Sequence, residues 1–153
     1  MNRKWASEYF TWAEIQCRGS GQIRMPRTSA EEVAFWGLLA VADAIRREFG
    51  HPLVCRSGHR STLHNLKIGG ALRSMHSRLI ALDLAPRHRD WPAHNYDTAM
   101  LELSRIVESH NLGGVGLYQT FIHLDQRTAL GDPRARWEDK RTWTRYERHQ
   151  RPA

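Results

Sequence analysis

Apolar residues recur at helical spacing over residues 29–49, where they form one stripe along a predicted helix. Ser29 followed by Glu32 fits a capping box at the start of this helix. Gly50 and Pro52 follow its end, as is typical of helix termination. At three- and four-residue steps, the stripe contains Phe35, Leu39, Ala42, Ile45 and Phe49.

The same spacing from about Asp97 to His110 predicts a second helix. Short apolar or alternating runs predict strands at 52–55 and 79–84, and two more around a tight connection within 114–126. The turn-rich stretch 57–70 is predicted to be an ordered loop. This order of elements predicts a single small α+β domain, with a short antiparallel sheet flanked by helices.

The last part of the chain, from about residue 132, is polar and basic and carries Trp137, Trp143 and Tyr146. We assign residues 1–137 to the domain and residues 138–153 to a basic, aromatic-containing C-terminal extension. The end of the chain from about residue 132 is either a docking segment or a loosely held end, and the aromatic residues of the extension, Trp143 and Tyr146, leave open a role in binding cell wall or phosphate.

The charge of the chain narrows the class of partner. A formal net charge of +7 over 153 residues favours anionic partners such as nucleic acid, acidic lipid or cell-wall polymer. The longest apolar run, residues 33–42, is too short to span a bilayer, so we expect no stable membrane insertion. Cys17 and Cys55 have no metal-binding spacing and are expected to be free thiols, with Cys55 in a strand core.

The strand at 79–84 carries a carboxylate on the face opposite its predicted core face. Alternation places Asp83 with Leu79 and Ala81, whereas the apolar core face consists of Ile80, Leu82 and Leu84. In the later strand, the same alternation places His123 and Asp125 together with Phe121.

His76 could join Asp83 and His123 at one metal ion if the chain bends. Seven residues of straight strand span about 23 Å, so His76 must lie in the loop that leads into the strand. Two histidines and one aspartate leave a fourth position open, which is typical of catalytic zinc sites. Spacing alone also fits three unrelated structural residues, and it does not decide between the two.

The motif SGHRSTLHNLKIGGALRSMHSRLIALDL, residues 57–84, resembles the signature region of the zinc D-alanyl-D-alanine carboxypeptidase family of metallopeptidases, which includes phage endolysins. The segment GGVGLYQTFIHLD, residues 113–125, is similar to the family's closing glycine-rich strand pair. RARW, residues 134–137, resembles a short basic motif that often follows it. FTWAEIQCRGSG, near the N-terminus, resembles the usual opening.

The resemblance implies a Zn²⁺ ion held by His76, Asp83 and His123 on the sheet. It implies that Arg60 binds a substrate carboxylate or stabilises the oxyanion, and that Ser57 and Ser74 contribute to substrate binding. The implied function is hydrolysis of peptide bonds in peptidoglycan stem peptides, as a carboxypeptidase or endopeptidase in phage or prophage lysis or in wall remodelling.

These expectations extend to partners and location. We expect a monomer that binds peptidoglycan peptide and not nucleic acid, because the sequence has no nucleic-acid recognition motif. The N-terminus has no apolar segment typical of a secretory signal. We therefore expect synthesis in the cytoplasm and action on the wall after release by a separate membrane-permeabilising partner.

Two positions depart from the family pattern. Leu79 replaces a glycine, and a leucine with a positive φ would cost on the order of 1 kcal/mol, so the local turn is expected to differ. Thr120 stands where some members carry an acidic base, which makes Asp125 the leading general base, with an orienting role for Asp125 as the alternative. Both departures also support a second hypothesis, a degenerate wall-binding protein of the same fold.

Overall fold

The computed structural model describes residues 4–139. The helices in this range are α1 (Trp12–Ile15), α2 (Ser29–Phe49), α3 (Thr62–Lys67) and α4 (Ala93–Ser109). The strands are β1 (Leu53–Ser57), β2 (Ala81–Pro86), β3 (Gly114–Leu117), β4 (Ile122–Asp125) and β5 (Ala135–Glu138). Short 3₁₀ helices cover His88–Asp90 and Arg127–Leu130.

The five strands form one sheet in the order β1-β2-β4-β3-β5. The first four strands pair antiparallel, as the sequence predicts, whereas β5 pairs parallel with β3. The prediction of a small α+β domain is therefore confirmed, with a mixed rather than a purely antiparallel sheet.

The edge strand β5 corrects the prediction for the end of the chain. Residues 135–138 are neither a docking extension nor a loose end, because their backbone pairs with β3. The pairing is bounded by hydrogen bonds from Ala135 N–H to the Gly113 oxygen and from Asp139 N–H to the Leu117 oxygen, both 2.9 Å long. The rest of the predicted extension, including Trp143 and Tyr146, lies outside the described residues.

Helices α2 and α4 contact each other, and α4 contacts β2 and β3. The predicted helical stripe faces inward and is buried, together with apolar residues of the strands such as Leu82 and Leu124. The opposite side of the sheet is also covered, since every residue of β2 and β4 is buried. Polar side chains on that second side are therefore largely shielded from bulk water.

The capping residue of α2 and the start of α4 differ from the predicted ones. Thr28, not Ser29, caps α2, because its hydroxyl accepts a hydrogen bond from Glu31 N–H at 3.1 Å. Gly50 ends the helix with a φ of 75°, as expected for a C-terminal glycine. Helix α4 begins four residues earlier than predicted, after Pro92, whose φ of −53° suits a helix start.

The predicted loop at 57–70 contains the short helix α3. Ser61 caps it by accepting a hydrogen bond from His64 N–H at 3.1 Å. Six residues make less than two helical turns, so no apolar periodicity can develop over this length. No described helix is both long and apolar enough to cross a bilayer.

Candidate metal centre

Sheet register places Asp83 directly opposite His123. The two residues are Cα partners in the antiparallel pair of β2 and β4, so both side chains emerge on the same face. Asp83 also lies opposite Ser57 of β1, and His123 lies opposite Gly116 of β3. One row of residues therefore crosses the sheet at the centre of this face.

His76 reaches this row from the preceding loop, which bends as the distance argument requires. The Ile80 N–H donates to the Met75 oxygen at 3.2 Å, which closes a tight turn. Within this turn Leu79 has a φ of 68°. The expectation that the turn would differ at this position is thus wrong: leucine adopts the left-handed conformation itself.

Leu79 also corrects the predicted strand face. Its side chain is 3% exposed and belongs to the hydrophobic core with Leu82 and Leu84, not to the face that carries Asp83. The regular alternation begins only with β2 at Ala81, because a left-handed residue interrupts the extended backbone that alternation requires. Burial of this side chain offsets the cost of its backbone conformation.

Three donor atoms converge at the centre of the face. His76 Nε2 lies 3.1 Å from Asp83 Oδ1 and 3.2 Å from His123 Nδ1, and the latter lies 3.0 Å from Asp83 Oδ1. A tetrahedral zinc ion with ligands at 2.0–2.2 Å would hold its donors about 3.3–3.6 Å apart. The observed triangle is only a few tenths of an ångström smaller.

The partners of the two imidazoles decide which atoms face the centre. His76 Nδ1–H donates to the Gly58 carbonyl oxygen at 2.7 Å, and His123 Nε2–H donates to Asp125 Oδ2 at 2.8 Å. The remaining ring nitrogens are then unprotonated and direct lone pairs at each other and at a carboxylate oxygen. Such an arrangement requires a cation or an additional proton, and it fits a metal.

Without a metal, the cation between these groups is a proton on one of the rings. In that state burial raises the pKa of the Asp83 carboxyl, but hydrogen bonds from His123 and His76 outweigh it and hold the pKa well below its usual value. Burial lowers the pKa of His123, whereas its contacts with Asp125 and Asp83 raise it overall. Asp83 is therefore an anion at neutral pH, available to a cation.

Asp125 is fully buried behind His123. Burial raises its pKa, but hydrogen bonds from His123 and Arg127 prevail and keep it well below the usual range. Arg127 donates to this carboxylate from its backbone N–H at 2.9 Å and from Nη2 at 2.7 Å. These contacts are those of a carboxylate that orients a ligand imidazole.

Arg60 connects the donor triad to the cavity in front of it. Its Nη2 donates to Asp83 Oδ2 at 3.3 Å, and its Nε donates to Ser57 Oγ at 3.0 Å. Ser74 Oγ accepts a hydrogen bond from His76 N–H at 3.3 Å and steadies the turn that carries this histidine. Arg60 and Ser74 line the cavity; Ser57 is not among its lining residues.

The cavity has a volume of about 400 Å³ and opens onto His76, Asp83 and His123. Its far wall is aromatic and consists of Tyr118, Phe121 and Trp137. Trp137 packs 5.1 Å from the His123 ring, between ring centroids, and its Nε1–H donates to the Tyr118 hydroxyl at 2.8 Å. No sequence pattern predicted that these three residues belong to the site.

Gly116 is the sequence feature from which the position of Trp137 near the site could have been predicted. A Cβ at this position would lie 2.4 Å from the Trp137 ring, so only glycine lets the indole cross β3 toward His123. Gly114, two residues earlier on the same face, gives similar room to Asp125, whose Oδ2 would lie 2.3 Å from its Cβ. Two glycines in alternation on one strand thus indicate close packing over the site.

The metal cavity is not lined by Thr120, His59 or the two cysteines. Thr120 is exposed and does not line the cavity, although its carbonyl accepts a hydrogen bond from the Tyr96 hydroxyl at 3.1 Å. His59 lines a neighbouring cavity, together with Arg60. Cys17 and Cys55 are free and buried, as expected.

Comparison with known proteins gives one assignment. A family model described as Peptidase M15 matches residues 8–125, a range that contains the three converging residues and Asp125. The match ends before β5, so it does not include Trp137. None of the curated proteins compared with the chain matches it. Among the described residues, His76, Asp83 and His123 are the only group of three with donor atoms placed to share a metal ion.

Proposed function

Because the chain belongs to the peptidase M15 family, we propose that it is a zinc peptidase that hydrolyses bonds in peptidoglycan stem peptides. M15 peptidases are metal-dependent. The observation that carries the proposal is the convergence of His76 Nε2, Asp83 Oδ1 and His123 Nδ1 at the base of an open cavity. Two imidazoles and one carboxylate with a free fourth side suit zinc in a catalytic role.

When bound, zinc supplies a Lewis acid that polarises a carbonyl group and lowers the pKa of water. The chain holds the three ligands in place: Gly58 fixes the His76 ring and Asp125 fixes the His123 ring. Arg60, between Asp83 and the cavity, brings a permanent positive charge to the position where a scissile carbonyl develops negative charge.

The aromatic wall suits a peptide substrate. Tyr118, Phe121 and Trp137 offer flat apolar surfaces against which an extended peptide can lie. The Tyr118 hydroxyl accepts from Trp137 Nε1, so its own proton is available to a substrate carbonyl.

We assign no side chain as the general base. Among the described residues lining the cavity, Asp83 is the only carboxylate, and it belongs to the ligand set. Asp125 is buried and bonded to His123 and Arg127, and we propose that it acts by orienting His123. This role replaces the general-base role expected for it from the sequence.

A wall substrate is consistent with the charge of the chain. The formal net charge of +7 favours association with an anionic polymer such as the cell wall. A lysis enzyme that reaches an anionic wall after membrane permeabilisation fits this charge. The proposal also includes that it acts as a monomer.

The test uses purified peptidoglycan as substrate, with metal content measured on the same protein. The zinc-loaded protein should release peptide fragments, chelator should stop the release, and added zinc should restore it. Mass spectrometry of the fragments identifies the bond that is cut. His76→Ala and His123→Ala should lose zinc and activity together, whereas His94→Ala, an exposed histidine on α4, should keep both.

A degenerate wall-binding protein predicts a different result. It would bind peptidoglycan and retain metal, but the zinc-loaded protein would release no fragments. That outcome would refute the enzymatic proposal and leave the metal site intact.

A further inference from the structure

A second cavity, of about 610 Å³, lies next to the metal cavity. It is lined by Arg24, Arg27, Glu31, His59 and Arg60, with Ile23 and uncharged polar residues around them. Arg60 lines both cavities and is thus their common wall. We call this second space the arginine cavity; its volume is within the usual range for ligand sites of about 300–1,000 Å³.

The arginine cavity has an excess of positive charge. Three guanidinium groups face one carboxylate, that of Glu31, in its described lining. Glu31 binds Arg24 through two contacts, of 3.3 and 3.2 Å, and accepts a hydrogen bond from Arg27 N–H at 2.8 Å. This carboxylate therefore fixes the position of Arg24 and of the Arg27 backbone, and it neutralises only one of the three charges.

The charge of Arg27 remains available to a ligand, and Arg60, which pairs with Asp83, adds to the positive potential of the cavity. Arg27 is exposed, and its guanidinium has no ion-pair partner within the described residues. Arg60 has one contact to the Asp83 carboxylate, at 3.3 Å, and is 20% exposed. Guanidinium groups bind carboxylates through paired hydrogen bonds, which gives both affinity and orientation.

His59 provides an independent observation in the same wall. The residue is 7% exposed, and its Nδ1 is buried without a hydrogen-bond partner in the described part of the chain. Buried polar groups are normally paired, and an unpaired one is costly. His59 lines this cavity, so a polar group of a ligand bound there would lie next to the ring that lacks this partner.

We propose that the arginine cavity is a substrate subsite that binds a free carboxylate of the peptide, at a position away from the scissile bond. The inference rests on the proposed peptidase function, because Arg60 joins this cavity to the metal cavity. A peptide held with its scissile bond at the donor triad can extend past Arg60, since each extended residue adds about 3.3 Å. Recognition of an acidic group there would decide which peptides are cut.

The test compares acid and amide forms of one peptide, L-Ala-γ-D-Glu-L-Lys-D-Ala-D-Ala. One amide form carries D-isoglutamine in place of D-isoglutamate, and the other carries a C-terminal carboxamide. Dissociation constants for zinc-free protein are measured by calorimetry, and kcat/KM is measured for zinc-loaded protein. Each variant is characterised by the ratio of the value for the acid peptide to the value for an amide peptide. General effects of a mutation on folding cancel in this ratio.

The wild-type protein should bind the acid peptide about tenfold or more tightly than one of the two amide peptides, as expected for a hydrogen-bonded charge. In Arg27→Gln, and more fully in Arg24→Gln/Arg27→Gln, this ratio should fall toward one. Arg105→Gln, an exposed arginine on α4, makes the same charge change elsewhere and should keep the wild-type ratio. The position of the preferred carboxylate identifies which part of the peptide enters the cavity.

Equal binding of acid and amide forms by the wild-type protein would overturn the inference, and so would a preference that survives in the double variant. Both results leave chelator-sensitive hydrolysis of peptidoglycan untouched, so they are distinct from failure of the proposed function. Conversely, an arginine-dependent preference in zinc-free protein that cleaves nothing when zinc-loaded would support the subsite and refute the peptidase.

Discussion

Replacement of Asp125 by asparagine separates the two roles considered for this carboxylate. In the structure its Oδ2 accepts from His123 Nε2–H at 2.8 Å and from Arg127 Nη2 at 2.7 Å. Its Oδ1 accepts from the Arg127 backbone N–H at 2.9 Å. Asparagine has one oxygen and one NH₂ group, so in either orientation an N–H group faces a donor.

The expected effect on metal binding follows from these contacts. Loss of an oriented acceptor behind a ligand histidine weakens metal affinity by roughly 10- to 100-fold. Stability should fall as well, because Arg127 loses a fully buried partner; a charged hydrogen bond contributes about 1.5–3 kcal/mol, and the 18% exposure of Arg127 favours the lower end. Activity should return largely when zinc is added in excess.

The assay is a competition of protein against a zinc chelator, with peptidoglycan hydrolysis followed across a zinc titration. Asp90→Asn is the matched control, because Asp90 also pairs with an arginine, Arg87, but in a surface 3₁₀ turn away from the site. A general base would behave differently: zinc affinity would stay unchanged while turnover fell by about 10²–10⁴. That result would refute the orienting role.

Three further predictions concern Leu79, Arg60 and Cys17. Leu79→Ala keeps the strained φ of 68° and empties a buried position, which should cost about 2–5 kcal/mol. Leu79→Gly should be about 1 kcal/mol less destabilising because it relieves the strain; urea unfolding would contradict this if the glycine variant were the weaker one. Arg60→Lys should retain zinc but lose at least about tenfold in kcat/KM, since one ammonium cannot reach both Ser57 and Asp83 as the guanidinium does; wild-type rates would exclude Arg60 from catalysis. Burial raises the pKa of Cys17, but hydrogen bonds from Ser61 and Ser20 prevail and lower it to about 6. A thiol whose pKa is lower in the folded state stabilises above its unfolded pKa of about 8.5 and loses that contribution as pH falls through 6. The stability advantage of wild type over Cys17→Ser should therefore shrink from pH 9 to pH 6, and a constant difference in urea unfolding would contradict the shift.

Much of the fold follows from local patterns in the sequence. The stripe over residues 29–49 predicts α2, whose bounds the structure confirms, because a 3.6-residue period leaves a clear apolar face over 21 residues. Period-2 alternation places Asp83 and His123 opposite the apolar faces of their strands, where the structure brings them together. An extended strand is too long to let His76 and Asp83 share one ion, which predicts a bend at His76 before β2, and the structure contains this turn.

Other features depend on contacts between distant parts of the chain. Strand β5 has no periodicity of its own and exists because its backbone pairs with β3, which brings Trp137 over Gly116 to His123. Asp125 has the same alternation as His123, yet its complete burial behind Arg127 favours an orienting role over catalysis.

The sequence by itself therefore determined the face of each strand on which Asp83 and His123 lie, and the resemblance of its motifs marked these two residues and His76 as candidate metal ligands. The faces depend on a period of two and the motifs on runs of neighbouring residues, so both are local properties of the chain. Only the tertiary structure decided the register that aligns Ser57, Asp83, His123, Gly116 and Trp137 in one row across five strands. Register is set by long-range hydrogen bonding and by packing of the whole sheet, and a shift of one residue would turn each of these side chains to the opposite face.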